Sequence, residues 1–311
     1  MLDLIIIIVS FAVLIKGADY LIDGASSFAK KLGIPDIVIG LSLVAFGTSA
    51  PELAVNVVAS FQGNSGITLG NVLGSNIANI FLILGITSII KAIPVAGETV
   101  KRQIPFALLA AVSIFVISYD ALTDRMTSLI GRGDGIILLL FFSVFLYYIF
   151  SIKKDEMEEP PQNVFSYTKD FLLIIGGLTG LILGGKYVVN SSVNIAKMLG
   201  LSETVIGLSI VAIGTSLPEL ITCVVAALKN KFDIAVGNIV GSNIFNTFLI
   251  LGISSAINPV PVANADIFNF GVNIGAVILL LVFMFTGIQK NLLERWEGII
   301  FVLLYISYIT Y

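Results

Sequence analysis

The sequence predicts an all-α polytopic membrane protein with about ten transmembrane helices, and three observations lead to this fold class. Of the 311 residues, 57% are hydrophobic and 12% are charged, and the mean hydropathy is +1.03, whereas ordinary soluble domains carry about 25% charged residues. Apolar runs near the roughly 20 residues needed to cross a bilayer recur along the whole chain. The alternating strand pattern of a transmembrane barrel is not found in the sequence.

The predicted spans fall into two groups of five. Hydropathy centres them near residues 12, 48, 80, 111, 142, 179, 216, 245, 278 and 302. The clearly hydrophilic connector, residues 153–169, is predicted to be a short cytoplasmic linker that is too short to fold as a regulatory domain. It separates a first five-helix repeat, residues 1–152, from a second, residues 170–311.

Two motifs occur twice in the chain. VIGLSLVAFGTSAPE at 38–52 and VIGLSIVAIGTSLPE at 205–219 share 12 of 15 letters, and GNVLGSNIANIFLILGI at 70–86 and GNIVGSNIFNTFLILGI at 237–253 share 13 of 17. Both pairs are separated by the same offset of 167 residues. The chain is therefore predicted to be an internal duplication.

The basic residues predict which way the chain crosses the membrane. With the N-terminus outside, eleven basic residues fall in inner loops and three in outer loops, which is a strong positive-inside bias. The inner ones are Lys30, Lys31, Lys91, Lys101, Arg102, Lys153, Lys154, Lys229, Lys231, Lys290 and Arg295, and the outer ones are Arg125, Arg132 and Lys197. Five spans per half then make the halves inverted repeats, which usually hold a substrate near the membrane midplane.

Each copy of the first motif places one acid, Glu52 or Glu219, within an apolar run, where a carboxylate is costly and marks function. Ala45, Thr48 and Ser49 precede Glu52 at helical spacing and share its face, and Ala212, Thr215 and Ser216 do the same for Glu219. Pro51 and Pro218 lack an N–H and are predicted to kink each helix. Oxygen ligands of this kind suit hard cations such as Na⁺ and Ca²⁺. The structural alternative is a buried hydrogen bond for the acids and back-bonding to the helix for the hydroxyls.

The second motif adds further oxygen ligands. Ser75 and Asn79 lie on one helix face, as do Ser242 and Asn246. Asn71 and Asn238 are expected near the helix starts. The glycine pairs are expected to serve close helix packing rather than ligation; they are Gly70 and Gly74, with Gly237 and Gly241 in the second copy.

GTSAPE with GNVLGSNIAN, and GTSLPE with GNIVGSNIFN, resemble the two alpha repeats of the calcium/cation antiporter superfamily, in particular those of prokaryotic sodium/calcium exchangers. The resemblance covers the ten-span layout and both motifs. It implies a central cluster of cation sites and alternating access in which spans one and six move against the other eight. The ligands it implies are Glu52, Asn79, Glu219 and Asn246, with Thr48, Ser49, Ser75, Thr215, Ser216 and Ser242 and the carbonyls of Ala45 and Ala212.

The expected function is exchange of Na⁺ for Ca²⁺ across the plasma membrane, without a cofactor and without enzymatic chemistry. Some members that this protein resembles, including potassium-dependent ones, carry an aspartate where Asn246 stands, so the resemblance argues against potassium dependence. Relatives that exchange Ca²⁺ for protons usually have an acidic residue in the second motif, and its absence here favours sodium coupling. The alternatives are Ca²⁺/H⁺ exchange, exchange of another divalent cation, and a cation channel. The chain has no histidine for a metal site or a proton relay, a single cysteine (Cys223), and a net charge of −3 that gives no nucleic-acid signal. For an exchanger of this kind the expected partners are the two ions and the lipid bilayer, without nucleic acid, and a monomer is expected.

Four further charges lie inside predicted spans one and six. Lys16, Asp19, Asp23 and Lys186 are expected to extend to the membrane surface. Ion pairs between the two spans are the less favoured alternative.

Overall fold

The structure is a computed structural model that describes residues 2–64, 66–118, 128–152, 167–198, 212–263 and 266–310. It is helical throughout, apart from short strands and connections. The helices of the first half are α1 (Leu2–Leu32), α2 (Asp36–Thr48), α3 (Ala50–Phe61), α4 (Ile67–Ile90), α5 (Thr99–Ser118) and α6 (Arg132–Ser151). Those of the second half are α7 (Tyr167–Met198), α8 (Ala212–Thr215), α9 (Leu217–Leu228), α10 (Phe232–Ile257), α11 (Asp266–Thr286) and α12 (Arg295–Thr310).

Seven of these helices are long and apolar enough to cross a membrane, and α2 with α3 forms a further, bent span. The seven are α1, α4, α5, α6, α7, α10 and α11. The predicted span centres all fall on described helices or, for residue 216, on the single residue between α8 and α9. Helix α7 begins at Tyr167, inside the predicted linker, whose residues 153–166 lie outside the described part of the chain.

Two short antiparallel strand pairs join the halves. Strand β1 (Ile93–Pro94) follows α4 and pairs with β4 (Leu292–Leu293), which precedes α12. Strand β3 (Val260–Pro261) follows α10 and pairs with β2 (Leu129–Ile130), which precedes α6. Each pair therefore ties the end of a motif-bearing helix to the start of a late helix of the other half.

Helices α4 and α10 form the centre of the molecule. The most apolar windows of α10 and α4 are 94% and 72% buried, against 33% for α1 and 22% for α6. Both central helices carry glycine, serine and asparagine, which permit close packing, and both contain a π-helical segment, Ala78–Leu84 in α4 and Phe245–Ile250 in α10.

Helices α1 and α7 pack closely along their length. A Cβ atom on Gly17 would lie 2.9 Å from the carbonyl oxygen of Gly177, and one on Gly184 would lie 3.0 Å from that of Ser10. These two contacts are equivalent under the offset of 167 residues. The glycines allow the two backbones to approach as in small-xxx-small helix pairs, so the two helices form one unit.

Two acids inside α1 are paired with a lysine from another helix. Lys229, which follows α9, lies 2.5 Å from a carboxylate oxygen of Asp19 and 2.6 Å from one of Asp23. Lys16 also approaches Asp19, at 3.5 Å, while Lys186 of α7 is exposed. The sequence alone does not predict this partner, which the packing of α9 on α1 brings between Asp19 and Asp23; that the charges extend to the membrane surface stays a prediction.

Candidate cation site

The first motif forms a broken helix in both copies. The helix is interrupted at Ser49 (φ −84°, ψ 4°) and at Ser216 (φ −88°, ψ 5°), and the next helix begins with a proline in its first turn. Across the first break α2 and α3 differ in direction by 49°. The predicted kinks at Pro51 and Pro218 are confirmed, and each break lies two residues before the proline. Each places an acid in the first turn of the new helix, where the helix dipole favours negative charge.

The two acids lie in one buried region of the protein. Glu52 and Glu219 are each 2% exposed. Ser49 donates a hydrogen bond to Oε1 of Glu219 at 3.2 Å. The two motif copies, 167 residues apart, therefore contribute to one site.

Asn79 and Asn246 lie in the two π-helical segments, where an extra residue per turn redirects side chains and often marks a functional site. Asn79 donates through Nδ2 to Oδ1 of Asn243 at 2.9 Å, and Asn246 donates in the same way to Asn76 at 3.1 Å. These two equivalent hydrogen bonds use the amide nitrogens of Asn79 and Asn246. The amide oxygens remain available to a cation.

Six oxygen atoms of the predicted ligands are buried without a hydrogen-bond partner in the described structure. They are Oε2 of Glu52 and Glu219, Oδ1 of Asn79 and Asn246, and Oγ of Ser216 and Ser242. Buried polar atoms are normally paired, and an unpaired one costs about 1–3 kcal/mol. Six such oxygens from four helices, including two carboxylates, fit a cation that binds between them.

The other predicted ligands show a more varied placement. Thr48 donates to Oδ1 of Asn238 at 3.0 Å and lies 3.3 Å from the carbonyl oxygen of Ala45. That carbonyl also accepts a hydrogen bond from the Ser49 amide at 3.0 Å, so the helix break does not free it. Ser75 is buried and Thr215 is half-buried. Ala212 is the first residue of α8, and residues 205–211 of the second copy lie outside the described ranges.

Sequence reasoning missed the asparagines that support the site. Asn76 and Asn243 hold the amides of Asn79 and Asn246, and Asn238 holds Thr48. The signal was present in the spacing NxxN of GSNIAN and GSNIFN, which puts two asparagines on one helix face. Asn71 and Asn238 are not near helix starts, because α4 and α10 begin several residues earlier.

The predicted glycine packing is found on one side. A Cβ atom on Gly241 would lie 2.7 Å from Cβ of Ala45, and one on Gly237 would lie 3.0 Å from the carbonyl oxygen of Ile37. Gly70 and Gly74 have no described atom within 4 Å of such a position; residues 204 and 208, the counterparts of Ile37 and Leu41, lie outside the described residues. Helix α10 thus packs directly on α2 behind the site.

A cavity of about 400 Å³ between α4, α11 and α12 is separate from this site. It is lined by Phe81, Phe268, Val272, Gly275, Leu279, Leu304, Ser307 and Tyr308, none of which is a predicted ligand. The candidate site is instead the buried cluster of oxygens around the two acids.

Comparison with known proteins gives consistent matches over the whole chain. The family model described as sodium/calcium exchanger protein matches residues 2–151 and 169–311. The chain is 34% identical to the sodium/calcium exchanger MaX1 of Methanosarcina acetivorans over 99% of this chain and 97% of that protein. It is 36% identical to the putative antiporter CaxA of Alkalimonas amylolytica over 98% and 96% of the two chains.

A solved structure has the same fold. The sodium-calcium exchanger NCX_Mj, soaked with 10 mM Na⁺ and 10 mM Sr²⁺, superposes with a TM-score of 0.86 at 32% sequence identity. The match covers 100% of this chain and 98% of the other. The likeness therefore extends over both motif copies and every described helix.

Proposed function

Because the chain belongs to the sodium/calcium exchanger protein family, we propose that it exchanges Na⁺ for Ca²⁺ across the cell membrane. The observation that carries the proposal is the set of six unpartnered buried oxygens around Glu52 and Glu219. Two carboxylates balance the charge of one Ca²⁺ or of two Na⁺. Na⁺ and Ca²⁺ then compete for the same oxygens, and this competition couples the transport of one to that of the other.

The proposed ligand set is the one that the sequence predicts. Glu52, Glu219, Asn79 and Asn246 supply charged and amide oxygens, and the burial of all four supports this role. The hydroxyls complete the set; they belong to Thr48, Ser49, Ser75, Thr215, Ser216 and Ser242, with the carbonyls of Ala45 and Ala212. Flexible sites with many oxygen ligands favour Ca²⁺ over Mg²⁺.

The proposed topology has ten spans, with the N-terminus outside and two inverted repeats, 1–152 and 170–311, on either side of an inner linker, 153–169. Two of the proposed spans are shorter than the length expected of a membrane-crossing helix: α8 and α9 together form one, and α12 forms the other. The matched strand pairs support the repeat, since β1 and β3 lie 167 residues apart. The basic residues near β1 and β4, among them Lys91, Lys290 and Arg295, support the inner position of that pair.

The proposed mechanism is alternating access around this fixed site. Helices α1 and α7 form the moving unit, since they pack on one another through facing glycines and contribute none of the proposed ligands. Movement of this unit opens the site to one face at a time. The protein carries out transport without chemical conversion, and one chain supplies both carboxylates, which supports a monomer as the working unit.

Flux through proteoliposomes tests the proposal. Vesicles loaded with Na⁺ and diluted into Na⁺-free buffer are expected to take up radioactive Ca²⁺ only while the outward Na⁺ gradient persists. Glu52→Gln and Glu219→Gln each remove a buried charged ligand and are expected to reduce uptake on the order of 100-fold. Glu98→Gln is the matched control, because Glu98 is exposed and pairs with Arg102, one helix turn away, at 2.9 Å.

The outcomes separate the candidate functions. Uptake driven by a pH gradient and indifferent to Na⁺ would replace the proposal with Ca²⁺/H⁺ exchange. Passive Ca²⁺ flux that needs no counter-ion would replace it with a channel. Equal uptake by the Glu52→Gln and Glu98→Gln variants would show that Glu52 does not bind the transported ions.

A further inference from the structure

A second group of polar side chains lies beyond Glu52 on helix α3. Asn56 and Ser60 follow Glu52 at intervals of four residues and therefore share its helix face. They are 0% and 2% exposed. The face that carries the acid thus continues as a buried polar stripe for two further turns, towards the end of α3 at Phe61.

Two more hydroxyls are assigned to this group from helix packing and from the repeat. Helix α3 packs against the beginning of α4 and the last turns of α10, which carry the fully buried Thr68 and Ser254. In the second motif copy, three of the four equivalent positions lie together. Its counterpart of Asn56, Cys223, lies with Sγ 3.7 Å from the carbonyl oxygen of Ala235 and beside Thr87. Ala235 and Thr87 are the counterparts of Thr68 and Ser254 under the 167-residue offset.

The oxygens of this group have no hydrogen-bond partner in the described structure. The unpartnered atoms are Oδ1 of Asn56, Oγ of Ser60, Oγ1 of Thr68 and Oγ of Ser254. Nδ2 of Asn56 donates to the backbone oxygen of Glu52 at 2.8 Å. This hydrogen bond fixes the amide and leaves its oxygen turned away from the helix turn that carries Glu52.

Back-bonding to the helix, the usual fate of a hydroxyl in an apolar helix, does not account for these atoms. The adjacent equivalent pair Ser88 and Ser255 does bond back, to the carbonyl oxygens of Gly85 at 3.0 Å and Leu251 at 2.7 Å. Ser60, Thr68 and Ser254 make no such bond. Leaving four buried oxygens unpaired is costly unless they bind something.

The full set of four oxygens occurs on one side of the site only. The counterparts of Asn56, Ser60 and Thr68 are Cys223, Ala227 and Ala235, which offer no side-chain oxygen. In the second copy the hydroxyls of Thr87 and Thr222 are also buried without a partner among the described residues, but no amide oxygen accompanies them. The repeat's packing alone therefore does not require the four-oxygen set.

We propose that Asn56, Ser60, Thr68 and Ser254 form a subsite for a monovalent cation, adjacent to Glu52 on the side where α3 ends. The four side-chain oxygens are neutral, so they can replace part of the hydration shell of a hard cation but provide no charge to balance a divalent one. The identity of that cation as Na⁺ rests on the proposed function. Ions arriving from the α3 end then pass through this subsite on their way to the two acids.

The double variant Ser60→Ala/Thr68→Ala tests the subsite. Alanine occupies both equivalent positions in the other copy, so the fold accommodates it there. In uniformly oriented vesicles, the half-saturating Na⁺ concentration at the face where α3 ends is expected to rise about three- to tenfold, the factor for losing interactions of hydrogen-bond strength. The half-saturating Ca²⁺ concentration is expected to change less than about twofold. Ser88→Ala, which removes a back-bonded hydroxyl, is the control.

Direct binding separates this inference from the proposed function. Detergent-solubilised protein carrying Glu52→Gln and Glu219→Gln is expected to remain stabilised against heating by NaCl relative to choline chloride, and Ser60→Ala/Thr68→Ala in that background is expected to remove the difference. This readout holds even if no Ca²⁺ transport is observed. The subsite would be refuted by an unchanged Na⁺ requirement in the folded double variant. Equal rises for Na⁺ and Ca²⁺, or equal effects at both faces, would refute it as well.

Discussion

The two copies of the repeated motif have nearly the same sequence but different packing around them. Helix α9, at the end of the second copy, packs along α1, and Lys229 at its end contacts Asp19 and Asp23. Helix α3, its counterpart, makes few contacts with α7, the counterpart of α1. We infer that this helix packing and these ion pairs close one face of the molecule, since the equivalent contact at the other face is absent among the described helices.

The cause lies in residues outside the conserved letters of the motifs. Asp19, Asp23 and Lys229 correspond to Lys186, Asn190 and Gln62, which cannot form the same ion pairs. The difference reaches the site itself, since Ser49 donates to Glu219 whereas Oγ of the equivalent Ser216 has no partner among the residues that the structure describes. The two nearly identical motifs thus lie in different surroundings, and the flanking sequence determines which face is closed.

The largest expected effect lies where the two copies do not differ, at the α1–α7 contact. Gly17→Ala and Gly184→Ala each place a Cβ atom about 3 Å from a backbone oxygen of the facing helix, and we expect each to destabilise the fold by about 1–3 kcal/mol through overpacking. The apparent melting temperature in detergent measures this. Gly176→Ala is the control, since no described atom lies within 4 Å of its Cβ position. A large difference between Gly17→Ala and Gly184→Ala would contradict the equivalence of the two contacts.

The next prediction concerns the asparagine pairs, which are also equivalent. Asn243→Ala removes the acceptor that holds Asn79, and Asn76→Ala removes the one that holds Asn246. Each is expected to raise the half-saturating Ca²⁺ concentration on the order of tenfold, because the freed amide no longer presents its oxygen in a fixed direction. Ca²⁺ titration of exchange measures it. Asn269→Ala, which removes a partner of Tyr308 at 3.0 Å, serves as control. If only one of the two variants had this effect, the two asparagine pairs would contribute unequally to the site.

The sequence was sufficient to predict the helices and the acids. Hydropathy predicts the spans because the bilayer requires apolar helices. An acid next to a proline in an apolar run has few structural explanations, so the helix breaks and the burial of Glu52 and Glu219 could be predicted from local rules. The second motif was predicted less completely. Asn76 and Asn243 accept hydrogen bonds from Asn246 and Asn79, which lie in two π-helical segments, and hydropathy does not report a local change of helix type.

The ion pairs of α1 were not predictable from local sequence for a different reason. Lys229 is 206 residues from Asp23, and only the packing of α9 on α1 brings them together. Snorkelling is the better expectation for a charge near a helix end when its neighbours are unknown. The polar stripe of Asn56 and Ser60 was similarly overlooked, because neutral side chains change hydropathy little. The lack of hydrogen-bond partners for their oxygens is found only when the contacts of the folded protein are examined.

The ion pairs at the closed face give a smaller expected effect. Lys229→Gln removes two partly exposed pairs, which together contribute about 1 kcal/mol to that closure, and it therefore shifts the balance between the two access states by about fivefold. Half-saturating Ca²⁺ is expected to fall when measured from the Lys229 face and to rise when measured from the opposite face. Arg102→Gln, which breaks an exposed pair with Glu98, is the control. Equal changes at both faces would mean that Lys229 affects the site rather than the closure.

The smallest expected effect is at the turns that follow α3 and α9. Gly63 (φ 77°) and its counterpart Asn230 (φ 60°) both adopt the left-handed conformation, which glycine and asparagine tolerate and alanine does not. Gly63→Ala is expected to cost about 1 kcal/mol, and Gly63→Asn only a few tenths, because the other copy already uses asparagine at this position. Thermal unfolding in detergent compares the two variants. The side-chain oxygen of Asn230 accepts a hydrogen bond from Lys91 at 2.8 Å. If Gly63→Asn were as damaging as Gly63→Ala, this hydrogen bond would be the main reason why asparagine is stable at position 230. The two turns would then differ between the two faces, as the helix contacts do.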